Sequence, residues 1–438
     1  MPSFEQRLLE LATLAGDEAE VYALSTEETP VNFEANRLKG VSSRQSHGVA
    51  LRLIKGGRIG FAAGSGPTDH QQLVDIAVET AEFGPTAQFH LPRPTAYPVV
   101  DAYDPAIETL DVDAMVEAGN QAVDRIVAAS SGIVCDAGLT RRIVNVTVLN
   151  STGVVANARR CVFSARLSGT LIRGTDMLFV GDMFASCHPA LDLTPLVEAT
   201  LQQLEWTRET VTAPASGAPV LFTPRGFAQA FSGALSLGLS GKTVLQGSSP
   251  LGGRLGETCF DPRLTLVDDP SIAYCPGAQA FDGEGVPSAR RVLVNRGRLE
   301  GFVYDLQTAA MAGVVSTGNG GRGLTSLPAP DLNVLVVEPG DTSFETMLEE
   351  IDDGLVVEEM LGSSQGNLIG GDFSGNVLLG YRVQHGRITG RVKDTMVSGN
   401  VYEVLRQLHS VGKDARWVGG SLLLPPISCL NVAISAAG

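Results

Sequence analysis

The chain has 438 residues, 44% of them apolar and 18% charged, a composition that supports two or three domains with a buried core. Its 32 basic and 48 acidic residues leave a net charge of −16 with no basic stripe, which disfavours direct nucleic-acid binding. Six scattered cysteines without a CxxC pair fit a reducing cytosol, no run approaches the roughly 18 apolar residues of a membrane span, and Glu5 and Glu10 break a signal-peptide pattern. The expectation is a cytoplasmic, multidomain protein that engages neither nucleic acid nor membrane.

In chain order, Ser3 and Gln6 form a capping box for a first helix, with Leu8 and Leu11 facing inward and Gly16 ending it. Strand patterns follow at 20–24, 31–34, 38–44, 49–54 and 59–63, the last two joined by a tight turn at Lys55-Gly56-Gly57-Arg58. Thr68 and Gln71 suggest a second capping box, opening a helix whose buried face is Leu73, Ile76, Ala77 and Thr80. Five prolines at 85, 92, 94, 98 and 105 mark a linker or surface crossing. A helix over 112–129 follows, with Met115, Ala118, Ala122 and Ile126 on its inner face. Alternating Val144, Val146 and Val148 then read as a strand, and 150–153 as a turn. Thr194 reads as the N-cap of a helix over 195–206.

Residues 212–219 mark a second boundary, and the Gly-rich remainder reads as short strands with hairpin turns at 295–297 and 385–386. A helix is expected at 344–351 and another right at the start of this region. The expected fold class is α+β: an N-terminal mixed α/β region with antiparallel meanders and helices, and a C-terminal mainly β domain. The expected segments are an N-terminal α+β domain at 1–84, a Pro-rich linker at 85–110, a central α+β region at 111–212 and the mainly β domain at 218–438.

Several motif-like stretches fail on context. Gly318 to Gly323 matches GxGxxG, but Pro328 and Pro330 deny it the helix a dinucleotide site needs. Ser236 to Thr243 resembles a Walker A loop without its first Gly or a preceding strand. Gly362-Ser-Ser364-Gln-Gly366 matches GxSxG, and Asp372 and His385 complete a triad on paper, but no helix follows Ser364. The six histidines (47, 70, 90, 188, 385, 409) include no pair at helical ligand spacing and no HExxH or HExxxH.

Other stretches carry more when taken together: Glu34 to Gly40, Gly48 to Arg52, Gly57 to Gly60, Asn150 to Gly153, Phe281 to Val286, Asn295 to Gly297, Ser316 to Gly320, Gly371 to Ser374 and Gly420 to Pro425. In this order and spacing the chain resembles the TldD/PmbA family, and within it the PmbA/TldE branch, over nearly its whole length. The resemblance implies a cytosolic, zinc-dependent proteolytic system. Its TldD-like subunits carry HExxxH plus a later Cys, pair with TldE-like subunits, and trim unfolded or leader peptides. The family's older label, modulator of DNA gyrase, does not imply DNA contact.

After Pro219, a strand at 218–222 leads to Thr223 as N-cap and Pro224 as first helical residue. Where the family has HExxxH, this sequence has Ser232, Gly233 and Leu237, and the later Cys falls near Gly419. No catalytic residue and no metal ligand is assigned to this chain, and zinc is expected only in a TldD-like partner. The expected role is a subunit that completes the chamber or holds extended peptide, as a heterodimer with a TldD-like subunit or as a homodimer. Asp282, Glu284, Asp305, Asn319 and Arg322 are the candidates for peptide contact, with stabilisation of Gly-rich turns as their other reading. Two further readings stay open: a stand-alone homodimeric peptide-binding protein, and a serine hydrolase using Ser364.

Overall fold

The computed structural model describes residues 2–66, 68–174 and 176–436. Strands of alternating apolar residues build the N-terminal half. β1 (Glu18–Glu34), β2 (Arg37–Val41), β3 (Arg44–Lys55), β4 (Arg58–Ser65), β5 (Val134–Asn150), β6 (Val155–Arg173) and β7 (Asp176–Ser186) form one antiparallel sheet. Its order is β4-β3-β1-β5-β6-β7, with β2 added to β1. The two blocks expected before residue 212 therefore share a single sheet, because β1 pairs with β5 from Glu20↔Asn150 to Phe33↔Ala137. The Pro-rich stretch crosses the surface between them without interrupting it.

Two strand expectations need correction. The segments 20–24 and 31–34 are one strand, β1, since the polar Ser25 to Glu28 pair on one side with β3 and on the other with β5. Pro30 is tolerated because it falls between the last pair with β3, at Glu28, and the first with β2, at Val31. The segment 38–44 instead splits between β2 and β3.

Four helices cover one face of the sheet: α1 (Phe4–Ala15), α2 (His70–Ala81), α3 (Val112–Ala129) and α4 (Thr194–Trp206). The Ser3–Gln6 capping box is present, and Gly16 caps the other end of α1. Asp69 rather than Thr68 caps α2, its carboxylate accepting from Gln72 N at 2.9 Å, and Ile76 faces solvent while Leu73, Val74, Ala77 and Ala81 are buried. Thr194 is the first residue of α4, not its N-cap; Asp192 accepts the Thr194 N–H at 3.0 Å.

Side-chain alternation divides the sheet cleanly. Ala19, Val21 and Ala23 of β1 and Leu51 and Leu53 of β3 pack with α1 and α2. Tyr22 and Ala50, of opposite parity, join Val146, Val148 and Phe281 on the other face, which the C-terminal domain covers. Gly60 sets how closely α2 approaches: a Cβ there would lie 1.8 Å from the Ala77 carbonyl oxygen. Replacing Gly60 with Val is expected to cost about 3 kcal/mol of stability, measured by urea denaturation, because backbone must move to admit it.

The C-terminal domain holds two larger sheets, of six and nine strands, the nine-stranded one including Val220–Phe222, Asp353–Leu361 and Asp372–Gln384. Thr223 caps the helix that follows Val220–Phe222, as expected, accepting from Gly226 N at 3.2 Å. That helix runs through α5 (Pro224–Phe227), a π-helical turn at Ala228–Ser232 and α6 (Gly233–Leu239), with α7 (Gly241–Leu245) after it. Phe231 fixes it: its ring lies edge-on to Phe222, Phe227 and Phe373 at 4.8, 5.1 and 5.4 Å between centroids. Each such pair adds roughly 1 kcal/mol beyond burial. A helix not anticipated from the sequence, α8 (Leu306–Ala312), precedes the expected one, α9 (Phe344–Glu349). Among the described residues, no helix is long and apolar enough to cross a membrane.

Candidate functional site

The sheet face turned toward the C-terminal domain carries charge where a strand pattern calls for apolar residues. Glu20 on β1 and Arg52 on β3 are cross-strand partners in register, and both are buried. Arg52 binds Glu20 at 2.8 Å and reaches across the domain junction to Glu284 at 2.7 Å. Arg322 binds the other Glu20 oxygen at 2.6 Å. Two arginines and two glutamates thus bolt the N-terminal sheet to the C-terminal domain. Burial opposes the Arg52 charge, but the Glu20 and Glu284 carboxylates outweigh it and hold the guanidinium above its ordinary range. Burial pushes the Glu284 carboxyl up to about 8, against the pull of Arg52 and helped by the nearby Asp282 and Asp305.

All five residues singled out for peptide contact gather at this junction, four of them with their polar atoms engaged by the protein. Asp282 accepts from the backbone of Glu284, Val286 and Gly320 at 2.9, 3.0 and 2.7 Å, which ties the Gly-rich turn together. Its carboxyl is pushed up to about 6 by burial, despite those donors. The second oxygen of Glu284 accepts from Leu306 N at 2.7 Å. Asp305 is the N-cap of α8, accepting from Thr308 N at 2.8 Å. Asn319 donates to Asp268 at 2.7 Å and to the Asp331 carbonyl at 2.9 Å. Arg322 alone retains unused donors, its Nε and Nη2. The turn-stabilising role describes Asp282 and Asp305 directly. Glu20 and Arg52 were not singled out in the sequence, although a charge at an inward-facing strand position was the available signal.

Beside this network, a cavity of about 270 Å³ opens between the sheet and the C-terminal domain, with Tyr22, Arg160, Gln279, Asp282, Arg322 and Asp331 in its lining. Asp331 also accepts from the Ser236 hydroxyl at 3.3 Å, which places α6 next to the cavity. On that helix, Ser232, Gly233 and Leu237 lie on a partly exposed face, and the Ser232 hydroxyl donates to the Ala228 carbonyl within the π-turn. Gly419, at φ +62°, turns the chain between the strands Arg416–Val418 and Leu422–Leu424. The set offers one hydroxyl and no imidazole, thiol or carboxylate, so it does not fit a zinc ion. Among the described residues, no three His, Cys, Asp or Glu are grouped to hold a metal.

The serine-hydrolase constellation does not assemble. Ser364 bridges to Ser374 near one end of the strand Asp372–Gln384, whereas His385 follows its other end and pairs with Asp352 at 2.7 Å. That strand holds Asp372 and His385 roughly 40 Å apart, at about 3.3 Å per residue. Gly320 and Gly321, within the GxGxxG match, form a two-residue strand with Ala329–Pro330 rather than a helix start.

Comparison with known proteins follows the same outline. The profile described as PmbA/TldA metallopeptidase C-terminal domain matches residues 215–436, half of the chain, and that of PmbA/TldA metallopeptidase domain 1 matches 19–82. A Haemophilus influenzae protein named Metalloprotease TldD homolog is 26% identical over 415 residues, covering 90% of this chain and 85% of its own. Metalloprotease PmbA of Escherichia coli O157:H7 is 30% identical over 212 residues, 48% of this chain and 44% of its own. The crystal structure of TldE from Thermococcus kodakarensis shares the fold, with a TM-score of 0.87 at 24% identity over 98% of this chain and 99% of that one. Profiles at both ends and a fold shared along its length make this chain a member of the TldD/PmbA metallopeptidase family.

Proposed function

We propose that this chain is a PmbA/TldE-like subunit of a TldD/TldE-type zinc metalloprotease, holding extended peptide or completing the chamber while a TldD-like partner supplies the metal. One observation carries the reading: the sequence contains no HExxxH, and Ser232, Gly233 and Leu237, which the resemblance sets against that motif, offer neither an imidazole for zinc nor a carboxylate to activate water. Its place beside the interdomain cavity, through the Ser236–Asp331 contact, supports a role in receiving peptide.

The test is a cleavage assay on an unfolded peptide with bound zinc quantified. The chain alone is expected to carry no stoichiometric zinc and to show no cleavage. Adding a HExxxH-bearing homologue is expected to give cleavage that a chelator abolishes and that exceeds the homologue's own rate. Stoichiometric zinc with chelator-sensitive cleavage by the chain alone overturns the reading, as does a homologue whose rate is indifferent to it. Tight binding of peptide by a homodimer that never stimulates cleavage would favour a stand-alone peptide-binding protein.

A further inference from the structure

The cavity at the domain junction has an imbalance of hydrogen-bonding groups that the ion network does not explain. One wall comes from the sheet, with Tyr22 of β1 and Arg160 of β6; the other comes from C-terminal loops carrying Gln279, Arg322 and Asn333. Arg160 has no carboxylate partner among the described residues, and its single side-chain hydrogen bond is a 3.4 Å contact from Nη1 to Gln279 Oε1. Arg322 spends Nη1 on Glu20 and leaves Nε and Nη2 buried without an acceptor. The Tyr22 hydroxyl, beside both guanidinium groups, makes no hydrogen bond among the described residues.

Most of the acceptors nearby are already used. Both Asp282 oxygens are taken by backbone N–H groups, and Gln279 and Asn333 are tied to each other at 2.6 Å. Asp331 stands at the exposed rim, its Oδ1 accepting from both Leu332 N at 2.9 Å and the Ser236 hydroxyl, with Oδ2 unbonded among the described residues. Donors without acceptors in a partly closed space are costly unless something fills the gap.

We infer that this cavity is a carboxylate-binding subsite, taking the C-terminal carboxylate or an acidic side chain of a bound peptide on Arg160, with the Tyr22 hydroxyl as a second donor. A planar guanidinium fits a carboxylate with two parallel hydrogen bonds. The volume of about 270 Å³ suits one side chain or terminal residue rather than a longer piece. A monoanion is favoured over a phosphate dianion, because Glu20 and Glu284 lie against Arg322, Asp282 and Asp331 line the same cavity, and the whole chain carries −16. In a molecule this acidic, an arginine without a carboxylate is a local island that selects where an anionic group lands. The inference rests on the peptide-holding reading above and assigns one of its contacts.

The experiment measures Kd by fluorescence anisotropy for labelled, unstructured peptides in matched pairs: a free against an amidated C-terminus, and an internal Glu against Gln. Arg160→Gln and Tyr22→Phe are compared with the unaltered chain, with folding of each checked by circular dichroism. One carboxylate form is expected to bind about tenfold more tightly than its neutral twin, and Arg160→Gln is expected to erase that difference. The pair that shows the preference identifies which carboxylate is read. Binding of all peptides with equal affinity, or a preference that survives Arg160→Gln, overturns the subsite while leaving peptide binding intact. If no peptide binds, the peptide-holding reading fails, and the subsite is judged on glutarate alone. A saturable rise in Tm with glutarate, absent with sodium chloride at equal ionic strength and lost in Arg160→Gln, supports it; no such rise overturns it.

Discussion

Arg52→Met is expected to lower the unfolding free energy by about 3–5 kcal/mol at pH 8, read from the shift in urea midpoint. Arg52 is the shared counter-ion of Glu20 and Glu284, and both carboxylates are fully buried. Its removal leaves Glu20 with Arg322 alone and Glu284 with no charged partner, its remaining bond being the Leu306 N–H. The Met side chain roughly replaces the buried volume, including the contact with Phe89 that Arg52 makes 4.9 Å from the ring centroid, so lost packing contributes little. Adding Glu284→Gln to Arg52→Met is expected to recover more than half of the loss, because a neutral amide costs far less to strand than a carboxylate. Equal midpoints for Arg52→Met and the unaltered chain would show that water or rearrangement supplies the missing charge.

This network also shows why the sequence was only partly legible. Periodicity located β3, β4 and α3 because their apolar residues repeat at strand or helix spacing. It divided β1 in two because Thr26-Glu27-Glu28-Thr29-Pro30 looks like a loop, and only pairing with β3 and β5 across large sequence distances makes it strand. Short helices are set by their caps: Asp305 encodes the start of α8, but an Asp before a seven-residue helix is hard to tell from a turn. The family-like stretch Phe281 to Val286 drew notice to Asp282 and Glu284 correctly as a place, while their bonding partners lie elsewhere in the chain. Glu20 is 264 residues from Glu284, so no local pattern could join them. Arg160 escaped for a different reason: its significance lies in the carboxylate it lacks, and an absent partner leaves no trace in a sequence.

The junction carboxyls, together with Glu358 elsewhere in the fold, make stability depend on pH in a direction opposite to the usual acid denaturation. Asp282 and Glu284 are pushed up to about 6 and 8 by burial, and Glu358 is pushed up to about 7, again chiefly by burial. In the unfolded chain these carboxyls titrate near 4. Between pH 4 and 8 the folded state therefore holds more protons than the unfolded state, and stability falls as pH rises. The contribution is full below about pH 4 and is lost once pH passes the folded values. Carboxylates held low, such as Asp261 beside Arg263, act in the opposite sense, but only as pH falls below 4. The unfolding free energy is expected to drop by about 3 kcal/mol between pH 5.5 and 8, since raising one carboxyl's pKa by a single pH unit is worth about 1.4 kcal/mol and the contributions of the interacting Asp282 and Glu284 do not add. Glu284→Gln should remove roughly half of that slope, leaving the part due to Asp282 and Glu358. Added salt should change it little, because the groups are shielded from solvent ions. A slope unchanged in Glu284→Gln would mean that Arg52 keeps Glu284 ionised throughout. In that case Arg52→Met, by letting Glu284 protonate, should cost more at pH 8 than at pH 6, whereas a Glu284 that already protonates near 8 makes the cost nearly equal at the two pH values. Measuring the two variants at both pH values separates the alternatives.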